Sequence, residues 1–108
     1  MKRITLTLFV TLSAPFAALS QETSLNAQQL EGMRHFNQSC RVCHTKPQMT
    51  SPQYAPVLSR ASLGGQDAAL KVVIANGTPK MPGFKYHFKA EQIEAIVAYL
   101  KTVAPQPD

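Results

Sequence analysis

The segment Cys40-Arg41-Val42-Cys43-His44 is the feature that most constrains this chain. Two thiols separated by two residues and followed at once by an imidazole are what covalent attachment of a haem requires. Each cysteine can add to one vinyl group of the porphyrin, and the adjacent histidine then offers a nitrogen to the iron as its fifth ligand. We therefore predict one covalent haem c, held by Cys40 and Cys43, with His44 as an axial ligand of the iron.

Two other chemistries use closely spaced cysteines. A redox-active CxxC pair usually begins a helix within a thioredoxin-like βαβ unit, whereas here a predicted helix precedes the pair and no strand is predicted. A zinc site needs four ligands, and only His35 and His87 remain as histidines to join Cys40, Cys43 and His44. We expect these two histidines at the surface, so the haem interpretation is preferred.

Length and cysteine content limit the architecture. A chain of 108 residues suffices for one small domain. The only two cysteines are those of the motif, which excludes a disulfide framework apart from a bridge between these two. Because so small a domain has few core residues, a buried haem would supply much of its apolar interior.

Residues 1–20 have the features of a cleaved signal peptide. Lys2 and Arg3 form a positive start, residues 4–12 are mostly apolar, and Ala18-Leu19-Ser20 offers small residues for a peptidase. The segment is shorter and more interrupted than the roughly 20 apolar residues of a membrane span. An uncleaved amphipathic tail is the alternative. We predict export to the periplasm and a single mature domain over residues 21–108, without a membrane span.

The mature chain reads as all-α. Asn26 and Gln29 form a capping-box pattern at the start of the first helix, and Gly77 is placed to end the second. The apolar side chains of the last helix recur at i, i+3, i+4 and i+7; they are Ile93, Ile96, Val97 and Leu100. The stretches between helices are rich in proline and show no convincing strand. The predicted helices cover residues 27–39, 66–76 and 90–102.

A methionine is the expected sixth ligand of the iron. Met33 lies on an amphipathic helix face, so we assign it to the core. Met49 follows His44 by only five residues and would have to cross from one haem face to the other in that short span. Met81 lies 37 residues after His44 in a proline-flanked loop, which is long enough to reach the opposite face. We therefore predict Met81 as the second axial ligand.

Two further residues are candidates for supporting contacts. The ring nitrogen of His44 that does not bind iron needs an acceptor to fix the tautomer. The backbone carbonyl of Pro56, twelve residues further on, is the candidate acceptor. Thr78, at the start of the methionine loop, is a second candidate for contact near the cofactor.

Three stretches resemble class I c-type cytochromes of the small single-haem bacterial kind. Residues 32–36, followed by Cys40, are similar to the family's glycine and aromatic on the first helix. Residues 96–101 are similar to its last helix, and residues 78–82 to its methionine loop. The resemblance implies an all-α fold with three main helices wrapped around one covalent haem. It also implies that Gly32, which costs about 1 kcal/mol in mid-helix, lies against the last helix near Ile96 and Tyr99.

Three functional classes use such a cofactor: a diffusible electron carrier, a tightly bound electron-accepting subunit, and a haem enzyme or gas sensor. The third class needs an open iron site, which a methionine ligand closes. We predict a periplasmic electron carrier and no enzyme. The alternative is a tightly bound cytochrome c subunit that accepts electrons from a periplasmic dehydrogenase.

Charge suggests the kind of partner. Residues 68–90 contain no Asp or Glu and four lysines, namely Lys71, Lys80, Lys85 and Lys89. Because this stretch includes Met81, we expect a positive rim near the haem edge that steers an acidic docking surface; an ordinary solvated surface is the alternative. The predicted partners are periplasmic redox proteins, with a dehydrogenase as donor and an oxidase or another cytochrome as acceptor. No nucleic acid is expected, and the protein is expected to be a monomer.

Overall fold

The computed structural model describes residues 24–46 and 53–106. Within these ranges the elements are α1 (Ala27–Ser39), α2 (Arg41–His44), a 3-10 helix (Ser62–Gly65), α3 (Asp67–Asn76) and α4 (Ala90–Leu100). Strand pairing in the described residues is limited to one isolated bridge between Thr78 and Met81. The predicted all-α fold class is confirmed, and the three main helices are α1, α3 and α4. The predicted signal peptide, residues 1–20, and Met49 lie outside the described residues.

The ends of the helices follow from local hydrogen bonds. At the start of α1, the Gln29 amide donates to Asn26 Oδ1 at 2.8 Å, and the Asn26 amide donates to Gln29 Oε1 at 3.0 Å. This reciprocal pair satisfies two amides that the helix itself leaves unpaired. At the end of α3, Gly77 takes a φ of 73° and its amide donates to the Val73 carbonyl at 2.8 Å. A left-handed residue here favours glycine, as the sequence predicted.

The core lies where α1 and α3 each pack against α4. Its buried side chains are Phe36, Cys40, Leu70, Ile74, Phe88, Ile93, Ile96, Val97 and Leu100. The most extensive contact between elements joins α1 to α4. At this contact a Cβ on Gly32 would overlap the backbone of Ala95 and lie 2.9 Å from the Ile96 amide nitrogen. The expected close approach of a second backbone to Gly32 is confirmed, and it centres on Ala95.

Two features of the fold differ from the sequence predictions. The Cys-x-x-Cys-His motif forms its own short helix, α2, in which the amides of Cys43 and His44 donate to the Cys40 carbonyl at 3.2 and 3.1 Å. His35 is only partly at the surface: 16% of its side chain is exposed, and its ring centroid lies 5.0 Å from that of Phe88. His87 is exposed, as expected.

Candidate haem site

The imidazole of His44 is held in one orientation. His44 is buried at the end of α2, and its Nδ1 lies 2.8 Å from the carbonyl oxygen of Pro56. A carbonyl oxygen only accepts, so Nδ1 carries the proton in this bond and Nε2 keeps its lone pair. This is the carbonyl that the sequence analysis predicted as the acceptor. The arrangement leaves Nε2 as the ring nitrogen available to a metal ion.

The two cysteines differ in their surroundings. Cys40 is buried in the core, whereas Cys43 is half-buried. Burial raises the pKa of the Cys40 thiol to about 11, and the neighbouring Cys43 adds to the shift. Reactive thiols of redox enzymes have a lowered pKa, so Cys40 lacks the electrostatics of a catalytic thiol. The zinc alternative also gains no support, because no group of three or more His, Cys, Asp or Glu in the described residues forms a metal-binding cluster.

The loop that carries Met81 is closed by its own backbone. The Thr78 amide donates to the Met81 carbonyl at 2.9 Å, and the Met81 amide donates to the Thr78 carbonyl at 3.1 Å. Gly77 precedes this bridge, and a Cβ there would overlap the Met81 carbonyl oxygen. The Thr78 hydroxyl oxygen also accepts from the Lys80 amide at 3.3 Å. Thr78 therefore stabilises the tight turn in which Met81 lies.

The same loop is attached to the end of α3. The amides of Phe84 and Lys85 donate to the carbonyls of Ile74 and Ala75 at 2.9 and 3.1 Å. Gly83 allows this approach, because a Cβ on it would lie 2.7 Å from the Asn76 carbonyl. These bonds satisfy carbonyls that the helix end leaves free. The sequence did not identify this role of Gly83, since the contact depends on how the chain returns to α3.

A cavity of about 550 Å³ brings the candidate residues together. Its lining is mostly apolar and consists of Cys43, His44, Tyr54, Ala55, Pro56, Leu58, Leu63, Leu70, Val73, Ile74, Thr78, Lys80, Met81, Pro82 and Leu100. Leu70, Ile74 and Leu100 are buried and form its floor. Of the six site residues predicted from the sequence, only Cys40 is not part of the lining. Cofactor pockets typically have volumes of about 300–1,000 Å³ and apolar walls with few polar groups, so these residues fit a haem.

The opening of the cavity is marked by residues that line it and are also exposed to solvent. Tyr54 is 75% exposed and Leu63 is 50% exposed, and Lys80 is also exposed. The Tyr54 hydroxyl donates to the Lys80 carbonyl at 3.4 Å, across the opening. Leu63 has a φ of 51° and a ψ of 36°, a left-handed conformation that costs a residue with a Cβ about 1–2 kcal/mol. Neither residue was a candidate from the sequence, because neither belongs to a motif.

An all-α domain whose CxxCH histidine and a loop methionine share one apolar cavity is a cytochrome c domain. A family model described as "Cytochrome C oxidase, cbb3-type, subunit III" matches residues 27–100, and the chain belongs to this family. The match begins with α1 and ends with α4, so it spans the core and the cavity.

One solved structure with the same fold is a mutant of the protein Kustc0563. It shares 25% sequence identity with this chain and has a TM-score of 0.51. The match covers 67% of this chain and 96% of that chain. No curated protein matches the chain at a significant level.

Membership of a cytochrome c family establishes the cofactor and the class of activity. The domain is an electron-transfer domain that carries haem c, and it is not an enzyme. The Cys-x-x-Cys pair formed by Cys40 and Cys43 is consistent with covalent attachment of that haem. Among the helices of the described residues, none has the length and apolarity that crossing a membrane requires.

Proposed function

We propose that this protein is a periplasmic electron carrier whose single haem c has His44 and Met81 as axial ligands. The observation that carries the proposal is the shared cavity: both side chains line it, and the protein already engages the other ring nitrogen of His44. When bound, haem supplies a one-electron change between ferrous and ferric iron. Cys40 and Cys43 hold it by thioether bonds.

The ligating residues set the electronic character of the site. The thioether sulfur of Met81 is a soft ligand that favours ferrous iron and raises the reduction potential. Pro56 fixes the ring of His44 by accepting from Nδ1, which leaves Nε2 as the nitrogen that would bind the iron. Thr78 keeps the turn around Met81 closed. Both residues that would bind the iron lie on backbone held by hydrogen bonds, so the protein would present them in fixed positions.

The partner is proposed from charge. Lys80 is exposed at the opening of the cavity, where an approaching redox protein would find the shortest path to the haem. A positive group there favours acidic docking surfaces, as expected for a dehydrogenase donor and an oxidase or cytochrome acceptor. Such encounters use small interfaces, and a monomer suffices for this role.

The test of the proposal begins with the cofactor. The mature protein, produced together with a haem-attachment system, should keep its haem through acid–acetone extraction. Its pyridine haemochrome spectrum should show saturated vinyl groups and one haem per chain. Cys43→Ala should lower the number of thioether bonds to one, whereas Val42→Ala, between the cysteines, should change nothing. Haem that extracts from the unmutated protein would contradict the proposal.

A tightly held subunit is the second candidate. The description of the matched family names an oxidase subunit, which favours a fixed partner. The two candidates differ in how long the protein stays bound to its redox partner. A diffusing carrier should elute alone and at monomer size when native periplasm is fractionated at low ionic strength. Co-elution with a dehydrogenase or oxidase through a salt wash would favour the subunit.

A further inference from the structure

The turn at residues 63–65 has left-handed backbone at three successive positions. The φ angles are 51° at Leu63, 67° at Gly64 and 73° at Gly65. Glycine adopts this conformation at almost no steric cost, but a residue with a Cβ does not. Among the described residues, Leu63 is the only non-glycine with a positive φ. The chain thus has glycine at two of the three positions and keeps a leucine at the first.

The surrounding turn forces this conformation on Leu63. The Gly64 amide donates to the Ala61 carbonyl at 3.1 Å, and the Gln66 amide donates to the Leu63 carbonyl at 3.3 Å. Buried Ser59 reinforces the turn, since its side chain accepts from the Ala61 amide at 3.2 Å. A strained residue persists where neighbouring bonds determine its backbone, and such residues concentrate at functional sites.

The position of the Leu63 side chain gives a reason for a leucine, rather than a glycine, at this left-handed position. It lines the cavity, yet half of it remains exposed. Leu70, which lines the same cavity, is buried within the core. Leu63 therefore lies between the cavity and solvent, where it contributes little to the protein core and much to closing the opening.

We propose that Leu63 is kept in this strained conformation because its side chain covers the exposed edge of the haem and thereby raises the reduction potential. The proposal rests on the proposed function, since it takes the cavity to hold the haem. Water at the opening would stabilise the more highly charged ferric state. Burial of the haem is one of the means by which a protein sets its potential. An apolar side chain at the opening excludes that water.

Two substitutions separate the side chain from the backbone. Leu63→Ala removes the cover and keeps the Cβ that makes the backbone strained, whereas Leu63→Gly removes both. The matched control is Val72→Ala, because Val72 is 59% exposed on α3 and is not part of the cavity lining. Reduction potential and denaturant unfolding are measured on the mature, haem-loaded protein. Leu63→Met, which keeps an apolar cover, is the conservative variant.

Both Leu63→Ala and Leu63→Gly should shift the potential to lower values, and Leu63→Met and Val72→Ala should leave it unchanged. Although its truncation is larger, Leu63→Gly should be more stable than Leu63→Ala, by about fivefold or more in the ratio of folded to unfolded protein. An unchanged potential in both truncations would overturn the proposal, as would a glycine variant less stable than the alanine variant. Failure of the proposed function would be seen separately, as loss of covalent haem or of methionine ligation in the unmutated protein.

Discussion

The hydrogen bond from His44 to Pro56 determines which nitrogen of the ring is left for iron. At 2.8 Å the carbonyl of Pro56 accepts the Nδ1 proton, so only Nε2 can donate a lone pair. The motif predicts that His44 is a ligand, and the need for an acceptor at its other ring nitrogen predicts the carbonyl of Pro56. This hydrogen bond could be predicted from the sequence because His44 and Pro56 lie only twelve residues apart.

Replacing Met81 tests the sixth ligand. Met81→Ala should abolish the weak near-infrared band of methionine bound to ferric iron, lower the reduction potential, and let carbon monoxide bind the ferrous protein. The matched control is Met33→Ala: Met33 is half-buried on α1 and is not part of the cavity lining, so its spectrum should be that of the unmutated protein. Loss of the band in Met49→Ala, with the band retained in Met81→Ala, would show that the assignment is wrong.

Two other features, one in the site and one in the fold, carry no signal in the sequence. Leu63 is an ordinary leucine until its φ of 51° is known. His35 has the pattern of a polar helix residue, and only its contact with Phe88 shows that its side chain is covered. The conformation of Leu63 is set by hydrogen bonds within its own turn, whereas the covering of His35 depends on Phe88, which is far away along the chain. A single sequence contains no local pattern for them.

At the scale of elements, local signals predicted the helices well and their contacts less well. The start of α1 follows from its capping box, and the end of α3 follows from Gly77. The contact between α1 and α4 was inferred from the cost of a glycine in mid-helix and from resemblance to a family. The attachment of the methionine loop to α3 was not predicted. Backbone hydrogen bonds do not require particular side chains, so the only residue whose type reflects this attachment is Gly83.

Gly32→Ala tests the contact between α1 and α4, because helix propensity and steric overlap predict opposite effects on stability. Helix propensity alone predicts that alanine stabilises α1 by up to about 1 kcal/mol. The new Cβ would instead overlap the Ala95 backbone, and overpacking of this kind costs about 1–3 kcal/mol. We expect a lower urea midpoint for Gly32→Ala. Gln38→Ala, on an exposed position of the same helix, should be neutral or stabilising; a stabilised Gly32→Ala would contradict the contact.

Gly83→Ala tests whether the attachment to α3 holds the methionine loop. A Cβ on Gly83 would lie 2.7 Å from the carbonyl of Asn76, so the loop must move away from the helix. The near-infrared band of methionine ligation should then weaken and disappear at a lower temperature. Gly64→Ala is the control, because the nearest atom to its Cβ, on Gln66, is 3.9 Å away and lies outside the loop. It is expected to lose stability and keep the band, whereas equal weakening in both variants would argue against the attachment.

At the scale of the whole molecule, the charge pattern of the sequence is only partly retained on the surface. Of the four lysines in residues 68–90, Lys71 forms an ion pair with Glu94 at 3.0 Å. Lys85 donates to the side chain of Asn76 at 3.5 Å. Lys80 lies at the opening of the cavity. Pairing across α3 and α4 therefore offsets the charge of Lys71, which counting along the chain does not show; the positive rim itself stays a prediction.

The dependence of electron transfer on salt tests the remaining rim. Ferricyanide, an anionic oxidant, should oxidise the ferrous protein more slowly as ionic strength rises, and the trend should level off near 1 M, where the screening length is about 3 Å. Lys80→Glu should slow the reaction several-fold at low ionic strength, because it reverses a charge at the cavity opening. Arg60→Glu is the matched control: Arg60 is exposed but outside the cavity lining. Lys71→Glu should also have a small effect, since Lys71 is not part of the cavity lining. Hexaammineruthenium, a cationic reductant, should show the opposite salt trend. Rates that are flat with both reagents would mean that the lysines serve solubility alone, and they would favour a docked subunit over a diffusing carrier.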